Sequence, residues 1–450
     1  MSRLSLRCSI HDGGKMEAKG LRTKTRIYPV EVLFVGVLLL WLFVPTTERD
    51  DNWFLATYIL NFGENLPAFL KFRYETWSTR LILEAYTLFL LKYPLLYKLS
   101  MAAWVVAVVT GLRRLLGHKG NETVLWAMCA WVGVIPMDIH LRAGYVCTTV
   151  NYVFAMACII WAAVPVLARL RGEKPPLWQE VLALVLMVLG CNMEYYCPPA
   201  LIAFLVLSVK TAVKKKNPWL SIVLTVIAAA SLWFALAAPS GTLSSYNDAT
   251  QYFPGYEDLS VLQKLQAAFV STAGGMISTY CHGDEFFLGS LLFGVVLGLW
   301  GLEKEKTRLR WLYLIPGVMT LGIGLACRMA PRGSGFAAVF YDGEGGWLWH
   351  NGWAFWAAAV YFGVTLYCLW RSDRRLCGAL ALVLFCRVTM GASRSLFDSG
   401  LRTFYPMFYV YGGATAVLLA GMEKWRKVGW VALLATSGIM LSVNIYQLFM

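Results

Sequence analysis

The chain has 450 residues, 58% apolar and 14% aromatic, with only 15% charged and a net charge of +14. Apolar runs of about 18 to 22 residues recur along nearly its whole length, each long enough to cross a hydrocarbon core of about 30 Å as a helix. This leaves no room for a soluble domain of ordinary size, and the charge placement argues against nucleic acid as a partner, because Lys and Arg sit in short strips between the runs.

In chain order, residues 1–27 form a polar, basic arm. The run from Val30 to Val44 then meets Pro45 and charge with no small-residue cleavage site, so it reads as an uncleaved first helix, about Tyr28 to Val44. Directly after it stands TTERDDNWFL, 46–55, with the adjacent pair Asp50 and Asp51. Further spans are expected near 97–113, 123–136, 149–168, 178–197, 199–213, 218–238, 286–301, 311–327, 352–370, 376–391, 403–420 and 428–448. The expected fold is an all-α polytopic membrane helix bundle of about 13 transmembrane helices, with residues 28–450 as a single transmembrane domain. With the N-terminus inside and the C-terminus outside, the basic arm and the strips at 113–119, 169–174, 210–216, 303–310, 371–375 and 423–427 all fall on the cytoplasmic side.

The long loops then face outward: 46–96, 239–285 and 328–351. Within the first, Thr79 to Pro94 is apolar enough to cross, but a crossing there would invert every later strip. It also carries Arg80, Glu84 and Lys92, so it is expected to lie in the outer interface as an amphipathic helix. Asn52 to Phe62 is expected to be a second such helix. Eleven cysteines are scattered without a CxxC, and their spacing supports no disulfide. The sequon NET, 121–123, falls in a cytoplasmic strip.

Several groups at the outer side carry chemistry. Two adjacent carboxylates cannot point the same way: one of Asp50 and Asp51 can face a cleft at the headgroup plane, as a base for an acceptor hydroxyl, while the other binds backbone amides. Few cations remain outside, namely Arg73, Arg80, Arg142, Arg328, Arg332, Arg394 and Arg402. Each binds phosphate oxygens, answers a partner carboxylate or snorkels at the interface. In PMDIHLRAGYVCTTVNYVF, 136–154, His140 is expected as a hydrogen-bonding group, and Asn151 and Tyr152 lie about one turn inside a span. In LGCNMEYYCPP, 189–199, Asn192 and Glu194 mark the outer end of another. An intramembrane carboxylate is expensive, and Glu194 would hold sugar hydroxyls, pair with an Arg or relay protons. His282, Asp284 and Glu285 form a polar mouth that a divalent metal would accept, but no cofactor is called for by the spacing.

This layout resembles the GT-C superfamily of polytopic membrane glycosyltransferases, and more closely a bacterial multi-spanning family of unassigned activity. The stretches that carry the resemblance are Asp50–Asp51, YETWSTR at 74–80, TTVNYVF at 148–154, GCNMEYY at 190–196, NPWLSI at 217–222, APSG at 238–241 and RTFYPMF at 402–408. The resemblance implies interface helices in the first outer loop and a bacterial inner-membrane enzyme. That enzyme would move a sugar from a polyprenyl-phosphate donor to an outward-facing glycan or lipid-linked acceptor. Asp50 or Asp51 would be the catalytic base, and Arg80, Arg142 and Arg402 would bind the donor phosphate. Glu194, Asn151, Tyr152, Asn192, His140 and His282 would bind sugar or acceptor. A flippase or transporter of a polar or lipid-linked substrate is the alternative, with Glu194 and Arg387 as pathway charges.

Overall fold

The computed structural model describes residues 28–141, 143–239, 255–277, 285–329, 352–396 and 399–449. These residues are all-helical, without a strand. In chain order the helices are α1 (Pro29–Leu42), α2 (Asp50–Leu60), α3 (Leu66–Thr76), α4 (Leu81–Lys92), α5 (Pro94–Leu115) and α6 (Glu122–Val132). They continue with α7 (Tyr145–Arg171), α8 (Leu177–Cys191), α9 (Glu194–Val213), α10 (Trp219–Ala237) and α11 (Val261–Ile277). The last are α12 (Glu285–Lys304), α13 (Arg308–Met329), α14 (Gly352–Ser372), α15 (Arg374–Ala392), α16 (Tyr405–Gly421) and α17 (Arg426–Phe449).

Each of the expected spans is a helix. Among the described residues, nine helices are long and apolar enough to cross a membrane. The expected spans outside that set are α1, α6, α8 and α16, which are shorter; α1, with 14 residues, reaches only about 21 Å. α16 is the inner helix, buried along nearly its full length and packed against α6, α12 and α15. Trp131 of α6 donates its indole N–H to the Phe408 carbonyl at 2.9 Å, which seats the two helices. α12 and α13 meet at Gly294 and Gly317, where an added Cβ on Gly294 would stand 2.5 Å from the Gly317 Cα. Only glycine permits that approach.

The basic strips gather at one end of the bundle. Arg375 donates to the Leu116 carbonyl at 3.1 Å, Arg371 pairs with Glu305 at 3.0 Å, and Lys304 reaches Glu423 at 3.7 Å. Asn121 of the sequon is the N-cap of α6, its side chain accepting from the Val124 N–H at 3.2 Å. The opposite end collects the last residues of α1, α8, α10 and α17 with the first of α5, α7, α9 and α16. There Lys98 Nζ donates to the Leu42 carbonyl at 2.7 Å, and Phe43 meets Phe449 at 5.6 Å.

The first loop builds three short helices at this second end. Asn65 caps α3 by accepting from the Ala68 N–H at 3.2 Å. Pro94 stops α4 and opens α5. With 12 residues, α4 extends about 18 Å, less than a hydrocarbon core of about 30 Å. One correction concerns 239–285, read above as loop. It contains α11, packed against α12, α14 and α15. Its apolar content is diluted by Gln, Ser, Thr, Ala and Gly, which suits a helix buried in protein and hides it from a search for lipid-facing runs.

Candidate functional site

The paired aspartates part company in the structure. Asp51 is fully buried. Its carboxylate accepts the N–H of Val146 at 2.9 Å and of Cys147 at 2.8 Å, at the free N-terminus of α7. Burial lifts its pKa to about 6, against the opposing effect of those amides, and the charge of Asp50 adds to the rise. Asp50, one residue earlier on α2, is solvent-exposed. Of the two candidate bases, Asp51 is therefore committed to holding α2 on α7, and Asp50 faces outward.

α7 begins with an α-turn, passes through a π-turn at Val150–Phe154, and then runs as α-helix. The extra residue in the π-turn leaves backbone carbonyls without their helical partner. The Tyr196 hydroxyl takes one of them, donating to the Tyr152 carbonyl at 2.9 Å. Asn151 and Tyr152 both sit on this turn, and Asn151 Oδ1 is buried without a hydrogen-bond partner.

Arg80 precedes α4 and meets Glu194 at the start of α9, Nε to Oε1 at 3.4 Å. Burial alone would lower its pKa, but Glu194 and Glu84 outweigh that and raise it, so the guanidinium is firmly charged. Tyr152 lies in the field of Arg402, Arg80, Glu194 and Arg387 together. The Cys147 side chain is the link to the aspartates: its charged neighbours are Asp51, Asp50 and Glu84, and it is itself a neighbour of Arg80. Five expected residues, Asp50, Arg80, Tyr152, Glu194 and Arg402, are thus grouped around the start of α7. Arg402 sits on the 3-10 turn Gly400–Phe404 just before α16.

A pocket of about 320 Å³ opens here between α8 and α10, lined by Glu194, Asn192, Thr79, Ser231 and Phe234 among others. Glu194 Oε2 is withdrawn from solvent and has no hydrogen-bond partner. Asn192 was expected to contact sugar, and its Oδ1 instead accepts the Leu83 N–H at 3.0 Å, capping α4 from another helix. His140 was expected there too, and it lies elsewhere. It is buried, bonded through Nδ1 to the Tyr405 hydroxyl, with its ring edge-on to Trp41 at 4.9 Å. Burial drives its pKa down to about 3, so it is neutral. It lines a second cavity of about 340 Å³ between α1, α5, α6, α16 and α17, whose walls are apolar residues such as Leu33, Val37 and Val105. Tyr405, its hydrogen-bond partner, stacks on Tyr152 with ring centroids 6.2 Å apart.

Arg142 and His282 lie outside the described residues, as do Arg332 and Asp284. Two other outer arginines have found carboxylates. Arg73 is bound twice by Glu84, at 3.0 and 2.8 Å, with both side chains buried and the guanidinium over Phe54. Arg394 pairs with Glu257. Sequence reasoning missed Thr79, Phe234 and Tyr405 as parts of this region. The only signals for Tyr405 and Thr79 were their places in RTFYPMF and YETWSTR, and for Phe234 there was none, because a pocket between helices leaves no local pattern.

No family model, no curated protein and no solved structure matches this chain.

Proposed function

We propose that this chain is a bacterial inner-membrane glycosyltransferase of the GT-C type, moving a sugar from a polyprenyl-phosphate donor to an outward-facing glycan or lipid-linked acceptor. In this reading the basic end is cytoplasmic by the charge rule, and α2 to α4 lie in the outer interface. The bundle has thirteen crossings in this reading, its four shorter apolar helices included.

The observation that carries the reading is the position of Arg80. It joins a pocket bearing a carboxylate to the group of Tyr152 and Arg402, with an exposed Asp50 close by at the start of α7. A lipid phosphate is an anion that gains charge as it leaves, and a fixed guanidinium stabilises that charge more than it stabilises the bound donor. The reaction is a single displacement. The acceptor oxygen attacks the anomeric carbon, the bond from that carbon to the phosphate oxygen breaks with inversion, and Asp50 takes the acceptor proton. Polyprenyl phosphate leaves as an anion and needs no acid.

The test is transfer of radiolabelled sugar from a polyprenyl-phosphate donor by the purified protein. Loss of transfer in Asp50→Asn is expected. Full activity in the double variant Asp50→Asn, Asp51→Asn would sink the base assignment. Movement of donor across proteoliposomes with no sugar transfer would make the protein a carrier.

A further inference from the structure

On the glycosyltransferase reading, the pocket beside Glu194 would hold the transferred sugar, and its size and lining bear on which sugar that is. Its volume of about 320 Å³ is roughly twice the ~150 Å³ of a cavity that takes one benzene ring. That is room for one pyranose with its hydroxyls.

The lining suits such a ring. Phe234 forms one wall and is backed by Tyr74, their rings 5.6 Å apart and 18° from parallel. An aromatic face is electron-rich and accepts the electropositive C–H face of a sugar. Glu194 lines the same pocket, with Oε1 on Arg80 and Oε2 unmatched by any protein donor. A buried acceptor without a donor is costly, and a turn of the Glu194 carboxylate toward the pocket would bring it a ligand hydroxyl or ammonium. Asn192, Thr79 and Ser231 add further hydrogen-bonding groups.

The same carboxylate sets the sign of the ligand. Arg80 pairs with Glu194 and compensates one carboxylate, so a second carboxylate entering the pocket would meet Glu194 with no further cation among the lining residues. We propose that this pocket is the monosaccharide subsite, that it accepts a neutral or amino hexose, and that it rejects uronic acids.

The experiment uses the full chain in detergent and follows binding by saturation-transfer NMR. The probes are the methyl glycosides of glucose, galactose and mannose, and the matching methyl uronates. At least one neutral glycoside is expected to bind, with its uronate about tenfold weaker or worse. Glu194→Gln should bring the two within about threefold of each other by removing the repulsion. Ala230→Trp fills the pocket from a lipid-exposed position of α10, so the fold is kept, and it should abolish binding. Binding of neutral and uronate forms alike by the unmodified protein overturns the proposal. So does unchanged discrimination in Glu194→Gln, or undiminished binding in Ala230→Trp. Selective binding without any sugar transfer keeps the subsite and removes the transferase. Transfer of sugar by a protein that binds none of the glycosides removes the subsite and keeps the transferase.

Discussion

Asp51 and Gly144 fit against each other so closely that neither position tolerates a different shape. The Asp51 carboxylate lies in front of Gly144, where a Cβ would stand 2.5 Å from its Cγ, and Gly144 itself holds φ at +85°. The contact seats α2 on the start of α7, and α7 carries Asn151 and Tyr152. Gly144→Ala adds both a strained backbone and a clash, so it should destabilise the protein by about 3 kcal/mol. Gly36→Ala is the control, since nothing lies within 4 Å of its added Cβ. Thermal unfolding of the two purified variants checks this; equal melting temperatures would show that the Asp51 anchor carries little.

The pH dependence of stability should reveal two opposed groups. The folded pKa of Asp51 is raised to about 6 from 3.8, so the folded state holds its proton longer, and stability is lost as pH rises between those values. His140 is the reverse case. Its folded pKa is lowered to about 3 from 6.5, so the unfolded state takes up the proton, and stability is lost as pH falls below 6.5. Over pH 4 to 6 each contributes about 3 kcal/mol, with opposite sign. Melting curves should therefore steepen in opposite directions: Asp51→Asn grows more stable as pH rises through this window, and His140→Gln grows less stable. Parallel curves for both variants and the unmodified protein would contradict the buried placement of these groups.

Two of the outer Arg–Glu pairs, Arg73–Glu84 and Arg80–Glu194, should behave differently. Arg73 and Glu84 are both almost wholly buried and doubly bonded. Arg73→Met strands a buried carboxylate and should cost about 3–5 kcal/mol, while Arg73→Met with Glu84→Leu should recover most of it. Glu194 is 41% exposed and its contact with Arg80 is single and longer. Glu194→Gln should change stability by about 1 kcal/mol or less. Limited proteolysis within residues 50–92, read beside the melting temperatures, separates the two cases.

Transfer activity should follow Asp50 and Arg80 without a matching loss of fold. Asp50→Asn leaves the amide contacts of Asp51 in place and should lower transfer by about 10²–10⁴-fold. Arg80→Lys keeps the charge but loses the planar fork, and should lower turnover more than donor binding. A wild-type rate in Asp50→Asn, with its melting temperature unchanged, would move the base elsewhere.

The membrane class, the positions of the long apolar helices and the segregation of charge to one end were readable in the chain. These follow from hydropathy and from Lys and Arg placement, which are local and add up residue by residue. For Thr79–Pro94 the sequence offered a run apolar enough to cross, and the placement of Lys and Arg argued that it stays at one end. What Asp50 and Asp51 each do was not readable. Adjacent identical residues differ here only because α7, ninety-five residues later, presents its amides to one of them. Nor could the chain say that Arg73 is bound by Glu84 while Arg80 meets Glu194, that His140 is neutral behind Tyr405, or that α11 lies buried where a loop was expected. Burial and ion pairing depend on which distant groups share a low-dielectric space, and only tertiary packing decides that.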